Sequence, residues 1–421
     1  MTYQLEQWLQ KYAEAIVKIG LNIQPGQRLL IGAPILWVGG APVEAAPFVR
    51  KIAAEAYKIG ARYVDVLWRD DQLTLARFEY APSDSFSHYP KWQTDTAMQY
   101  AKSGDALLFI FADTPDLLLN QDSRAVSLVQ QATFKYTQQV LETYARREVQ
   151  GMAVTIATSG WGAKVFPGYS PGEQEMRLWD AILDVCRIKQ ENPISALKDY
   201  AEQLETRAGF LNRKQYAALK FSAPGTDLTV GLPEGHIWTS SYIKTKSGIP
   251  CITGLPCEEL FTLPHRNKVN GVVTATKPLV YGGSLIEDFS LTFDKGRVVK
   301  VAAAKGEEVL SNLIQTDEGA ARLGEVSLLP HSSPVSQSGM LFYNILIDEN
   351  AASHVALGQA YRFNINGGEN MTDQELTAAG GNQSSIHVDF MIGSGEMNIE
   401  GILKDDRREP VMRKGEWAFE G

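Results

Sequence analysis

Four short apolar runs at residues 28–32, 63–68, 106–112 and 152–158 alternate with stretches of helical periodicity. This alternation limits the fold more than any other feature of the chain. The helical stretches are 3–20, 43–60, 97–103 and 124–147, followed by 173–189 and 195–211, with Gly60 placed as a C-terminal stop. Strands separated by helices of this length join through crossovers, which makes βαβ units and a parallel sheet. Such a sheet invites a nucleotide, yet the turn after the first strand, GAPILWVGGAP, is neither G-x-G-x-x-G nor a P-loop. A scaffold or interface domain is the better expectation.

Near residue 210 the texture changes. The segments 217–222, 227–231, 271–276, 289–294 and 298–303 are short and strand-like, separated by turns containing glycine and proline. One amphipathic helix stands among them at 306–316. A chain of 421 residues suits two to three domains. The expectation is an α/β N-terminal domain over 1–210, a parallel sheet with helices. An α+β, mostly β, C-terminal domain follows over 211–421, with a strongly curved sheet or an open barrel.

Composition excludes several classes of function. Lys and Arg number 40 against 49 Asp and Glu, a formal net charge of −9, so a broad nucleic-acid surface has no basic footprint. Apolar residues are 44% and charged residues 21%, the balance of a globular protein. The longest apolar run, 106–112, is far short of the ~20 residues a membrane-spanning helix needs. The opening MTYQLEQWLQ lacks a secretory pattern. Three cysteines give no disulfide framework, and Cys251 and Cys257 lack the C-x-x-C spacing of a zinc knuckle. A cytoplasmic protein is expected.

The chemistry concentrates in the second half. In SSIHVDFMIG, His387 and Asp389 stand two apart on a strand-like run, so they share a face, with Ile386, Val388 and Phe390 opposite. Such an H-x-D pair is a rigid two-ligand clip for a divalent ion, unless it is an incidental feature of a solvated edge strand. In NILIDENAASHVALG an apolar strand runs into Asp348, Glu349 and Asn350, then a short helix-like stretch with His354. Glu349 and His354 are too far apart in phase for one continuous helix. They converge if Glu349 lies in the turn before the helix and His354 one turn in, with Asp348 or Asn350 as the cap. Glu325 in RLGEVSLLP shares a face with Leu323 and Ser327, and a carboxylate in so apolar a strand is costly to bury unless it is paired or metal-bound. Glu258 and Glu259 follow a proline turn, where one can ligate while the other orients or binds a cation.

Glu259, Glu325, Glu349, His354, His387 and Asp389 together make four carboxylates and two imidazoles. One zinc takes about four protein ligands at most, so six groups suit two divalent ions bridged by a carboxylate. Four oxygen and two nitrogen ligands accept zinc, cobalt or manganese. The same set serves peptide hydrolysis, phosphate-ester or non-peptide amide hydrolysis, or an inactive metal-binding scaffold.

GLPCEELFTLPHR, LGEVSLLP, LIDENAASHVALGQAY and SSIHVDFMIGS, in this order, resemble the thermophilic aminopeptidase family that includes aminopeptidases T and S. KIGLNIQPGQRLLI, AAEAYKIGARYVDVLW and GTDLTVGLPEG extend the likeness over the chain. The resemblance implies a cytoplasmic, homodimeric, dinuclear metallo-aminopeptidase acting on peptides with a free N-terminus. It also implies metal ligands at Glu259, Glu325, Glu349, His354, His387 and Asp389, and an active-site tyrosine at Tyr361. Glu258 is the carboxylate left over, expected to shuttle a proton or to bind the substrate's ammonium group.

Overall fold

The computed structural model describes residues 3–281 and 284–419. The chain forms two compact units. The first comprises the chain through Tyr200 with two later segments, Tyr242–Cys257 and Met340–Asp348. The second comprises Ala201–Ser241, Glu258–Gly339 and the chain from Glu349 onward. The expected boundary near 210 thus compares with a second unit that begins at Ala201 and is twice interrupted by returns to the first.

The first unit is the α/β layer expected. Arg28–Ile31, Tyr63–Val66, Ala106–Ile110 and Gly151–Val154 form a four-stranded sheet, with Tyr63–Val66 at one edge and Gly151–Val154 at the other. All its pairings are parallel. Ala106–Ile110 is buried along its whole length, as a parallel strand covered on both faces must be. The helices follow the expected spans, with Ala46–Lys58, Trp92–Lys102 and Ser123–Ala145 among them. Two more were not legible: Asp71–Tyr80, capped by the Asp70 carboxylate, and Ser159–Val165, capped by the Thr158 hydroxyl. Their side chains carry no clear 3.6-residue stripe, and no residue of Asp71–Tyr80 is buried. The returning segments are integral to this unit. Asn344 Nδ2 donates to the Phe111 carbonyl at 3.0 Å, and Leu346 joins a core cluster with Leu30, Ala33 and Phe109. No helix among the described residues is long and apolar enough to cross a membrane.

The strand-rich half resolves into separate antiparallel sheets of nine and five strands rather than one curved sheet. The five-stranded sheet runs, edge to edge, His387–Met391, His354–Gly358, Leu323–Leu328, Leu260–Thr262 and Thr239–Ser240. One face of it is apolar. Val326, Val355 and Phe390 lie in one cross-strand row, and Phe390 meets Phe289 of the nine-stranded sheet with ring centroids 5.4 Å apart. The opposite face carries the polar residues.

Two backbone features set the register of that polar face. A bulge at Gly324 pairs Leu323 with Leu357 but Glu325 with Ala356, which takes Leu323 off the face of Glu325 where simple alternation had put it. A Cβ at Gly324 would lie 2.4 Å from the Gln359 carbonyl oxygen, so the bulge requires glycine. Gly358 has φ +106°, and a Cβ there would stand 2.1 Å from the Ile386 oxygen. Gly358 therefore ends a strand. The expected helix around His354 is absent: the chain is helical earlier, at Ile345–Asp348, and His354 opens a strand. A β-branched and apolar sequence, HVALG, buried at every position, favours the sheet over the helix. Nor is NILID a strand. Asp348 accepts from the Phe342 and Asn344 backbone N–H groups, closing that helix from its far end.

The approach to the edge strand is pinned by Asp317. Its carboxylate accepts from the Ser384 and Ser385 hydroxyls, the Ser385 N–H at 2.7 Å and the Ala320 N–H at 2.9 Å. Burial opposes the ionised form, but these donors outweigh it and hold the Asp317 pKa below its ordinary value. A depressed folded-state pKa gives stabilisation that is complete above the unfolded value of about 3.9 and lost as pH falls through the folded value. Asp317→Asn is therefore expected to lower the melting temperature at pH 7, with the gap to wild type closing toward pH 2–3. Thermal unfolding across that range checks it, and a gap independent of pH would count against the role.

Candidate metal centre

The polar face gathers residues through cross-strand pairing. Phe261, Ser327, His354 and Met391 form one row, and Glu325, Ala356 and Asp389 the next. Direct partners in an antiparallel sheet point to the same side, so Glu325 and Asp389 flank a position occupied only by a methyl group. His387, two residues from Asp389, pairs with Gly358, again a position without bulk. The strand between the two carboxylates thus leaves open the space into which they point.

Two groups of ligand-type atoms result. Glu259, Glu325 and His354 form one, and Glu325, His387 and Asp389 the other, with the atoms of each group within 4.8 Å of one another. Glu325 belongs to both. His354 Nε2 stands 3.2 Å from Glu259 and 3.4 Å from Glu325, while His387 Nε2 is 3.6 Å from Glu325 and 3.5 Å from Asp389. The strand bearing His387 and Asp389 is an edge strand, yet it is not the solvated edge that would make the pair incidental: Asp389 is 8% exposed. Glu325 lies on the central strand at 5% exposure.

The remaining sequence candidates fall close by but outside these two groups. Glu349 heads a single 3-10 turn, Glu349–Ala351, and its strongest charge interactions are with Glu259 and Asp389. Glu258 is 1% exposed, and its backbone N–H donates to Asn350 Oδ1 at 2.9 Å. Asn350 therefore ties the Glu258 segment to the Glu349 turn instead of capping a helix. Tyr361 lies just past the strand, its ring centroid 4.9 Å from that of His387. All eight residues belong to the second unit.

Orientation comes from groups that sequence patterns did not single out. Both imidazoles place Nδ1 against a backbone carbonyl, His354 on Ala352 at 3.1 Å and His387 on Gln359 at 2.7 Å. Donation from Nδ1 makes Nε2 the nitrogen turned to the carboxylates, the one that would ligate a metal once the ring is neutral. The Ser327 hydroxyl donates to Glu259 Oε2 at 2.7 Å, fixing that carboxylate. The signal for Ser327 was present in the alternation that placed it beside Glu325. Nothing in the sequence marks the Ala352 and Gln359 carbonyls.

The electrostatics of the cluster are those of excess buried negative charge. Burial pushes Glu325 up to about 7, against the pull of His354. Burial, then Glu259 and Asp389, push Glu349 well above the usual carboxylate range. Burial disfavours the charged form of His354, but Glu259 and Glu325 outweigh it and hold its pKa well above that of a free imidazole. The same contest, won by Asp389 and Glu325, places His387 at about 10. Asp389 is held low, since His387 overcomes its burial. Tyr361 is pushed well above 10 by burial and by the nearby carboxylates, so its phenol remains a donor.

A cation-binding role can be tested on one atom. Asp389 Oδ1 is buried and makes no hydrogen bond of good geometry among the described residues, only the 3.5 Å ion-pair contact with His387 Nε2. A buried, ionised carboxylate oxygen so weakly satisfied, beside a second carboxylate and two oriented imidazoles, matches the donor chemistry of a divalent-ion site. The cysteines take no part: all three are buried and outside any disulfide, and no ligand group among the described residues includes one.

Comparison with known proteins agrees with this chemistry. The family described as thermophilic metalloprotease (M29) matches residues 5–417. Aminopeptidase AmpS of Bacillus subtilis (strain 168) is 43% identical over 413 residues, covering 98% of this chain and 99% of that protein. Aminopeptidase T of Thermus thermophilus is 40% identical over 410 residues, covering 97% of this chain and 98% of its own. The solved structure of wild-type AmpT from Thermus thermophilus superposes with a TM-score of 0.91 at 39% identity, covering 98% of this chain and 100% of that one. With the match spanning both halves of the sequence, the chain belongs to the thermophilic metalloprotease family M29.

Proposed function

We propose that this chain is a metal-dependent aminopeptidase that removes N-terminal residues from peptides at a dinuclear centre. The observation that carries the proposal is the pair of three-residue ligand groups sharing Glu325 on one sheet face. Glu259, Glu325, Glu349, His354, His387 and Asp389 are the proposed ligands, and Glu325 is the residue common to both groups. Charge supports a count of two: once the imidazoles are deprotonated, as metal ligands must be, four ionised carboxylates would carry −4, which two divalent ions would balance. Zinc, cobalt and manganese all suit the donors.

When bound, such an ion pair polarises the scissile carbonyl and lowers the pKa of a water toward neutrality. The chain's own residues do the rest. Ser327 holds Glu259 in place, and the Ala352 and Gln359 carbonyls fix the two imidazole rings. Tyr361, protonated at neutral pH and against His387, donates to the oxyanion that develops on the carbonyl. Glu258, buried and outside both ligand groups, supplies a carboxylate for the substrate's ammonium group or for moving a proton to the leaving amine. Phosphate-ester hydrolysis is less well supported. No Lys or Arg among the described residues pairs with Glu259, Glu325 or Asp389 to receive the extra anionic charge.

The first unit holds none of the eight site residues, in keeping with the scaffold and interface role proposed for residues 1–210. The proposed working form is a homodimer in the cytoplasm, where cysteines outside any disulfide are stable.

Four outcomes are expected. Dialysis against a chelator abolishes cleavage of aminoacyl chromogenic substrates, and about two equivalents of divalent ion per chain restore it. His387→Ala or Asp389→Ala loses at least one ion by elemental analysis, and full activity without metal would end the reading. Tyr361→Phe keeps its metal and fold but loses roughly 10²–10³ in kcat with little change in KM, the pattern of one donor acting in the transition state. A Tyr361→Phe enzyme with wild-type kcat would make the phenol structural. Sedimentation at micromolar concentration gives twice the 46.4 kDa chain mass, whereas a monomer refutes the dimer.

A further inference from the structure

One buried side chain, Asn382, holds the backbone around Gln359. It is fully buried and stands five residues before His387 in the chain. Its Nδ2 donates to the Gly319 carbonyl at 2.8 Å and to the Gly358 carbonyl at 2.7 Å. Its own backbone carbonyl accepts from the Ala360 N–H at 3.0 Å. Both amide hydrogens are thus used, while Oδ1 makes no hydrogen bond among the described residues. The side chain serves as a double donor between two carbonyls, a task that neither a carboxylate nor an apolar group of the same size can perform.

These bonds bracket the Gln359 carbonyl, which accepts from His387 Nδ1 at 2.7 Å. A trans peptide is a flat unit whose C=O and N–H point in opposite directions. The unit joining Gln359 to Ala360 presents its carbonyl to His387 and its N–H to the Asn382 carbonyl. The unit before it, joining Gly358 to Gln359, has its carbonyl on Asn382 Nδ2 and its N–H on the Ile386 carbonyl. Both planes that meet at Gln359 are therefore held by Asn382. Gly358, at φ +106°, is a residue whose backbone would otherwise turn easily, so the donor on its carbonyl matters. His354 does not depend on this clamp. Its acceptor is the Ala352 carbonyl, next to Ser353, whose hydroxyl bonds the N–H and the carbonyl of Leu329, each at 3.1 Å.

We propose that Asn382 is a positioning residue for His387: it aims the carbonyl that orients the ring, and so tunes the ion subsite of Glu325, His387 and Asp389 without tuning that of Glu259, Glu325 and His354. The proposal rests on the dinuclear reading and deepens it. Losing a group that orients a metal-ligating histidine costs about 10–100-fold in metal affinity. Asn382 acts through the Gln359 peptide, which puts its effect at about tenfold, the lower end of that range.

The test is titration of the metal-free protein with Co²⁺, read by visible absorption and by the proton resonances that bound cobalt shifts away from the rest. Wild type should take up two ions and show a shifted, exchangeable Nδ1–H signal for each histidine. His387→Ala identifies the His387 signal by its loss. Asn382→Ala is expected to weaken one cobalt equivalent about tenfold, to leave the other at wild-type affinity, and to speed solvent exchange of the His387 signal alone. Equal weakening of both equivalents overturns the proposal. So does wild-type binding and exchange in a variant that merely melts at lower temperature, since Asn382 would then be structural only. If Asn382→Ala fails to fold, Asn382→Asp keeps the size and the backbone bond to Ala360 while removing the amide donors, and it must give the same one-sided effect. A wild type that takes up fewer than two cobalt ions instead sinks the dinuclear reading, and the proposal with it.

Discussion

Glu325 is a carboxylate on the central strand of a five-stranded sheet, buried and shared by two clusters of ligand atoms. Taking a carboxylate out of water is costly, and placing three others nearby adds repulsion. The rest of the second unit can be understood as what makes that arrangement tolerable. Two imidazoles are held 3.2–3.6 Å from the carboxylates, with their far nitrogens fixed by backbone carbonyls. A serine hydroxyl satisfies one carboxylate, and a bulge brings Glu325 onto the polar face. What remains is negative charge and one buried carboxylate oxygen without a hydrogen bond, which fits the donor chemistry of a cation's place. In the proposed function, bound divalent ions would offset that cost and convert the cluster into a stable and reactive one.

The opposite face of the same sheet explains its rigidity. Val326, Val355 and Phe390 alternate with Glu325, His354 and Asp389 along their strands, and they meet the nine-stranded sheet through the Phe289–Phe390 contact. Glu325, His354, His387 and Asp389, four of the proposed ligands, therefore stand on strands that cannot shift without disturbing an apolar core. Sites built on strands hold geometry better than sites on loops. Glu259, Tyr361 and Glu349 are the exceptions, the first just before its strand, the second on a loop and the third on a short turn. Each is secured locally, by the Ser327 hydroxyl, by the ring contact with His387 and beside Asn350 in turn.

Much of this was legible in the sequence, for identifiable reasons. Period-two alternation gave the shared face of His387 and Asp389, and the alternation of strands with helices gave the parallel sheet. The conformation around His354 was misread because a five-residue apolar segment fits helix and strand equally well by pattern alone. Only the left-handed Gly358 and the pairing with its two neighbours decide it. Leu323 changed face because a bulge inserts one residue into the register, and a glycine in sequence does not reveal whether it makes a bulge. The Nδ1 acceptors were invisible, since backbone carbonyls have no sequence signature. The returning segments were equally hidden: nothing in residues 242–257 or 340–348 distinguishes them by composition from the strands on either side.

Those returns have a consequence for how the protein is made. The first unit includes Met340–Asp348, which supplies Asn344 to the end of a central strand and Leu346 to the core. A ribosome delivers that segment only after most of the second unit's sequence has already emerged. The common order, in which an N-terminal domain completes before its successor begins, is closed to this chain. The parallel sheet must wait with part of its apolar surface uncovered. Its last piece arrives immediately before Glu349, so completion of the scaffold and delivery of a proposed metal ligand fall at the same point of synthesis.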